Sequence, residues 1–133
     1  MLKSTLLLLL FMSTLSYAQT TDEKIIAVYG QEMYDQNLQS NPGLINYFRD
    51  YIENDGMSLQ DYNPKYSNAP TLSQIPLRGK SESSISISEF VNAINEADFN
   101  PLMYDFLPQN EVQIFRLQGF NKVLVIKNQK QLN

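Results

Sequence analysis

Towards its C-terminal end the chain reads Val112-Gln113-Ile114-Phe115-Arg116-Leu117-Gln118-Gly119-Phe120-Asn121-Lys122-Val123-Leu124-Val125-Ile126. Two β-prone runs flank Gln118-Gly119-Phe120-Asn121, a Gly- and Asn-bearing turn of hairpin length, so a C-terminal β-hairpin is expected. Val123-Leu124-Val125-Ile126 is apolar on both faces of a strand. Such a strand belongs in the middle of a sheet or under a layer of helices.

Upstream, the helical signals are strong. Thr20-Thr21-Asp22-Glu23 matches a capping box, with two acids where the helix dipole favours them. Ile25, Tyr29 and Met33 recur at spacing four, which predicts a first helix to about Gln39 despite Gly30. Asn41 is a good N-cap and Pro42 suits the first helical position. Leu44, Ile45, Phe48, Tyr51 and Ile52 then share one face, and Asp55-Gly56 supplies the stop, with Gly56 suited to a left-handed cap. These two helices predict a hairpin. Prolines at 64, 70 and 76 break residues 57–84 into short extended pieces carrying Leu72, Ile75 and Leu77. Ser86 and Glu89 form a second capping box, opening a third helix whose stripe is Phe90, Val91, Ile94 and Ala97. Ser84 to Ser88 also alternates with period two, so a strand there is the competing reading. The fold class that follows is α+β. An N-terminal helical hairpin and a third helix pack on a small, mainly antiparallel sheet that includes the C-terminal hairpin.

The N-terminus points to export. Met1-Leu2-Lys3 is a short positive start, Leu6 to Met12 is seven unbroken apolar residues, and Ser16-Tyr17-Ala18 has the small-x-small pattern of a cleavage site. The expected products are a signal peptide, residues 1–18, and a single α+β domain, residues 19–133, cut between Ala18 and Gln19. A spanning helix needs about 20 apolar residues, so the mature protein is expected to be soluble and not membrane-spanning, either periplasmic or extracellular.

Composition narrows the chemistry. The 133 residues contain no histidine, cysteine or tryptophan, which removes thiolate nucleophiles, disulfides, imidazole or thiolate zinc sites and Ser-His-Asp triads. Fourteen acids against ten bases give a net charge of −4, a poor match to nucleic acid. Carboxylate pairs are the remaining route to catalysis, and Asp50, Glu53, Asp55 and Asp61 crowd the exit of the second helix. Aligning Gly56 with the sixth position of a calcium loop puts Tyr51 first and Tyr62 twelfth, so that motif fails. Ser81, Ser83, Ser84, Ser86 and Ser88 lie near Lys80 but lack a Ser-x-x-Lys arrangement, and read as a flexible polar connector. No glycine-rich phosphate loop is present, and no cofactor or metal is expected.

Two aromatic groups remain. Tyr47, Tyr51, Tyr62 and Tyr66 suit either a sugar or peptide platform or packing along a helix edge. Phe99 to Pro108 has six large apolar or aromatic residues among ten, interrupted by prolines. It is expected either as a lid on the core or as an exposed contact patch. In the contact reading the partner-binding residues are Phe99, Leu102, Met103, Tyr104 and Phe106, with Tyr62 and Tyr66 from the tyrosine-rich loop.

Asn41-Pro42-Gly43-Leu44-Ile45-Asn46-Tyr47, Ile52-Glu53-Asn54-Asp55-Gly56 and Phe99-Asn100-Pro101-Leu102-Met103-Tyr104 resemble small exported proteins of bacteria that use type IX secretion and gliding motility. The resemblance spans most of the mature chain and carries over no catalytic residue. It implies an accessory subunit of a periplasmic or outer-membrane assembly, such as the plug at the periplasmic mouth of a secretion translocon. The expected function is therefore a non-enzymatic exported interaction protein whose partner is another protein. The alternatives are a small exported carboxylate-dependent hydrolase, or a sugar- or peptide-binding module.

Overall fold

A computed structural model describes residues 19–106 and 109–128. The expected leader, residues 1–18, and Leu107-Pro108 of the expected contact segment lie outside them. The fold is α+β, and one apolar core joins its helices to its sheet.

The first capping box forms as its sequence dictates: Thr20 Oγ1 accepts from the Glu23 amide at 3.2 Å, and the Thr20 amide donates to Glu23 Oε2 at 2.9 Å. It opens α1, Thr21–Tyr29, which stops earlier than the single helix expected to Gln39. Gly30 takes φ 90° and ψ 154°, a conformation that breaks the helix. Its amide closes α1 on the Ile26 carbonyl, while its own carbonyl accepts from Tyr34 to start α2, Gln31–Ser40. The hairpin is thus a three-helix unit completed by α3, Pro42–Glu53. Ile45, Phe48 and Tyr51 of the expected face are buried, and Leu44 and Ile52 flank them half-buried. Asn41 precedes Pro42 as expected, yet its side chain makes no capping hydrogen bond.

The end of α3 also departs from expectation. Asp55, not Gly56, adopts the left-handed conformation, at φ 50°. Gly56 is buried against the face of Tyr51, where a Cβ would overlap ring atoms. The close approach, and not the cap, requires glycine there.

Beyond it lie β1, Met57–Asp61, and the very short β2, Thr71–Leu72. A two-residue Arg78-Gly79 turn joins β3, Gln74–Leu77, to β4, Lys80–Ser86. The serine run read as a flexible connector is therefore largely a strand, antiparallel to β3 with Ile75 opposite Ile85. Both readings of Ser84 to Ser88 hold in part, because β4 ends on Ser86 and the same residue caps α4, Ile87–Ile94. The Ser86–Glu89 capping box is present in both directions. Phe90 is fully buried and Val91 and Ile94 partly so, whereas Ala97 lies past the helix end and is exposed.

The C-terminal hairpin pairs β5, Gln113–Leu117, with β6, Lys122–Ile126. Gly119 and Asn121 supply the positive φ angles of the turn. The four-stranded sheet has the order β1-β6-β5-β2, antiparallel except for the short β2–β5 pair. Strand β6 is interior, as its doubly apolar pattern requires. Leu124 and Ile126 join the helical core, while Val123 and Val125 are buried on the other face.

A clasp ties the three helices together. Arg49 on α3 donates from Nε to Asp22 Oδ1 at 2.7 Å and from Nη2 to Asp22 Oδ2 at 3.2 Å, and Nη2 also meets the Tyr34 hydroxyl at 3.1 Å. The Arg49 hydrogen bonds hold the Asp22 carboxyl below its ordinary value.

Candidate functional site

Segment 99–106 follows α4 and is anchored from both sides. Asn100, buried, donates from Nδ2 to the Lys24 carbonyl at 2.8 Å and caps a 3-10 turn, Pro101–Met103, by accepting from the Leu102 amide at 3.1 Å. Lys24 returns the contact, its Nζ donating to the Phe99 carbonyl at 2.7 Å. From the β3–β4 turn, Arg78 donates through Nε to the Leu102 carbonyl at 2.8 Å and through Nη2 to the Tyr104 carbonyl at 3.2 Å. The Arg78 amide reaches the Met103 carbonyl, and the Asp105 amide reaches the Pro76 carbonyl. Six backbone groups of an irregular segment are thereby satisfied without a helix or a full strand.

These anchors sort the expected contact residues. Leu102 and Tyr104, 1% and 6% exposed, lie in the core and present no surface in this conformation. Phe99 stacks on Tyr104 at 5.5 Å between ring centroids, and Phe90 meets both edge-on. Burial raises the Tyr104 phenol above its ordinary value. Phe106 packs on Phe115, and its carbonyl accepts from the buried Tyr51 hydroxyl at 3.2 Å. Met103 alone of the five turns outward, 52% exposed. It borders a shallow depression of about 160 Å³ with Ala27, Val28, Leu77, Arg78 and Lys80.

Tyr62 and Tyr66 do not join it. Tyr62 follows β1, its amide bonded to the Asn121 carbonyl, and lines a separate depression. Tyr66 ends a 3-10 turn, Pro64–Tyr66, with the Lys65 ammonium 4.8 Å from its ring centroid. Of the two readings of the tyrosines, packing along the helix holds for Tyr51, which is core, and for Tyr47, which lies beside Phe48, so the four do not form one platform. Sequence reasoning missed Arg78, which organises the segment. Its only signal was a lone arginine in the Pro76–Gly79 turn.

Of the acids crowding the exit of α3 in sequence, Asp50 and Glu53 stay one turn apart on α3, while Asp55 and Asp61 are drawn apart. Asp55 and Asp61 flank the length of β1, and a five-residue strand separates its ends by roughly 13 Å. Asp61 is paired with Lys122, which lowers its carboxyl, the opposite of what a general acid needs. Lys80 and its neighbouring serines lie exposed along β4. Among the described residues no group of three or more acids could hold a metal ion, and no helix is long and apolar enough to cross a membrane. No family model matches the chain, and no curated protein or solved structure does.

Proposed function

We propose that this chain is an exported, non-enzymatic interaction protein, an accessory subunit that docks on another protein of a periplasmic or outer-membrane assembly. The observation that carries the reading is Met103. A large apolar side chain stands out from a turn whose neighbours on both sides are buried and whose backbone Arg78 and Asn100 hold in place. With its backbone already held, such an anchor has no loop left to order on docking, and central apolar anchors carry much of an interface's energy. Ala27, Val28 and Leu77 supply apolar surface beside it, and Lys80 adds a positive rim. The fitting partner is a protein segment with an apolar side chain flanked by an acid. The tripartite N-terminus supports export, and the resemblance to proteins of type IX-secreting bacteria supports the accessory role.

The test is native purification from the cell envelope with a photo-crosslinking residue at position 103. One discrete companion should be captured. Met103→Ser should weaken its binding by about 2 kcal/mol, the scale of an interface anchor. A companion unaffected by the substitution would reject this surface. Intact mass of the native protein should correspond to residues 19–133, and recovery of the uncut chain from the cytoplasm would reject export.

A further inference from the structure

One end of the four-stranded sheet gathers polar groups from all of its strands. Tyr62 follows β1, Thr71 is on β2, Arg116 and Leu117 close β5, Gln118 and Asn121 form the hairpin turn, and Lys122 opens β6. Together they line an open depression of about 410 Å³, within the range of about 300–1,000 Å³ usual for small-ligand sites. It shares no lining residue with the Met103 surface.

The groups are held in place. Arg116 donates from Nε to the Ala69 carbonyl at 2.7 Å and from Nη2 to Thr71 Oγ1 at 3.4 Å, which fixes the guanidinium plane. Its Nη1 donors carry no hydrogen bond among the described residues. Asn121 sits at φ 45°, its carbonyl bonded to the Tyr62 amide, so turn and strand end are tied together. Lys122 is already paired with Asp61, which leaves Arg116 as the cation available to a ligand.

A planar guanidinium with free donors is matched by a carboxylate. Around it stand two amides and two hydroxyls, groups that both donate and accept and therefore suit a ring bearing several hydroxyls. The Tyr62 side chain adds an aromatic wall with a polar tip. A peptide C-terminus fits less well, since its last side chain needs an apolar socket. The only aliphatic lining residue is Leu117, itself 2% exposed. We propose that this end of the sheet is a binding site for a carboxylate-bearing sugar, a uronic acid taken singly or as part of an acidic polysaccharide.

Isotope-labelled full-length mature chain would be titrated with D-galacturonate, its trimer, D-glucose, acetate and a tripeptide with a free carboxylate, following backbone amide shifts. Saturable shifts centred on residues 116–122 are expected with galacturonate. Glucose and acetate should each bind about tenfold more weakly, since each lacks one half of the recognised chemistry. A trimer tighter than the monomer identifies a polysaccharide as the source, and equal binding identifies a single ring. Arg116→Lys should weaken galacturonate about tenfold. Because Arg116 also holds the Ala69 carbonyl, the exposed Gln118→Ala serves as a second variant, expected to weaken binding several-fold with an unchanged spectrum elsewhere. The proposal is overturned if acetate or the tripeptide binds as well as galacturonate, if the shifts lie elsewhere, or if Gln118→Ala binds as the parent does.

Discussion

A methyl group added at position 56 would overlap the Tyr51 ring, whereas one added at position 30 would meet open space. The two glycines are required for different physical reasons. Gly56→Ala forces a buried ring from its place, and overpacking of this kind costs about 1–3 kcal/mol. Gly30→Ala leaves the packing alone but places a side chain at φ 90°, which costs about 1–3 kcal/mol in backbone strain. Urea denaturation of both variants should show lowered midpoints. Adding Tyr51→Ala should leave Gly56→Ala with little further cost and should not affect the cost of Gly30→Ala. Both positions were visible in the sequence, and both were misread: Gly30 as a weak point within one helix when it ends α1, and Gly56 as a cap when it makes room for a ring. A left-handed cap is a local property, legible from Asp55-Gly56 alone. The ring that leans over Gly56 depends on how α3 meets β1, which no local pattern encodes.

At the scale of elements, the capping boxes at Thr20 and Ser86 were legible because each is complete within four residues. The Asp22–Arg49–Tyr34 clasp was not, since it joins three helices across 27 positions. It makes an acid-sensitive contribution. The Asp22 carboxyl is lowered from 3.8, chiefly by its hydrogen bonds to Arg49. A depressed folded value means the clasp stabilises fully above the unfolded value and is lost as pH falls through the folded one. Thermal melts should therefore be flat above about pH 5 and decline below about pH 4. Both side chains are about a third exposed or more, so Asp22→Asn should cost only about 0.5–1 kcal/mol near neutrality. It should also lessen the decline in acid. An equal decline in the variant would assign the acid sensitivity to other carboxylates.

For the molecule as a whole, segment 99–106 is the element whose role changed most between sequence and structure. Its apolar content was legible, but lid and contact patch have the same composition, and only the anchors from Lys24, Asn100 and Arg78 separate them residue by residue. Tyr104→Ser should cost about 3–5 kcal/mol, the range for truncating a buried aromatic. Met103→Ser should stay within about 0.5 kcal/mol, as for an exposed position. Chemical denaturation of the two single variants checks the division, and equal costs would refute it. Arg116 and Lys122 were likewise plain in the sequence, yet nothing there brought Tyr62 or Thr71 beside them. The strand order β1-β6-β5-β2 did so. That order also sets a sequence of events in time. Strand β1 is complete by residue 61, but its partner β6 begins at residue 122. On a chain made from its N-terminus, Met57 and Leu59 must wait through some 60 residues of synthesis with their pairing edge open. Closure of so wide a loop is slow, and an open edge in the interval invites pairing with other chains. The four-stranded sheet therefore cannot close until β6 has been made, and in that interval the growing chain is most in need of an escort.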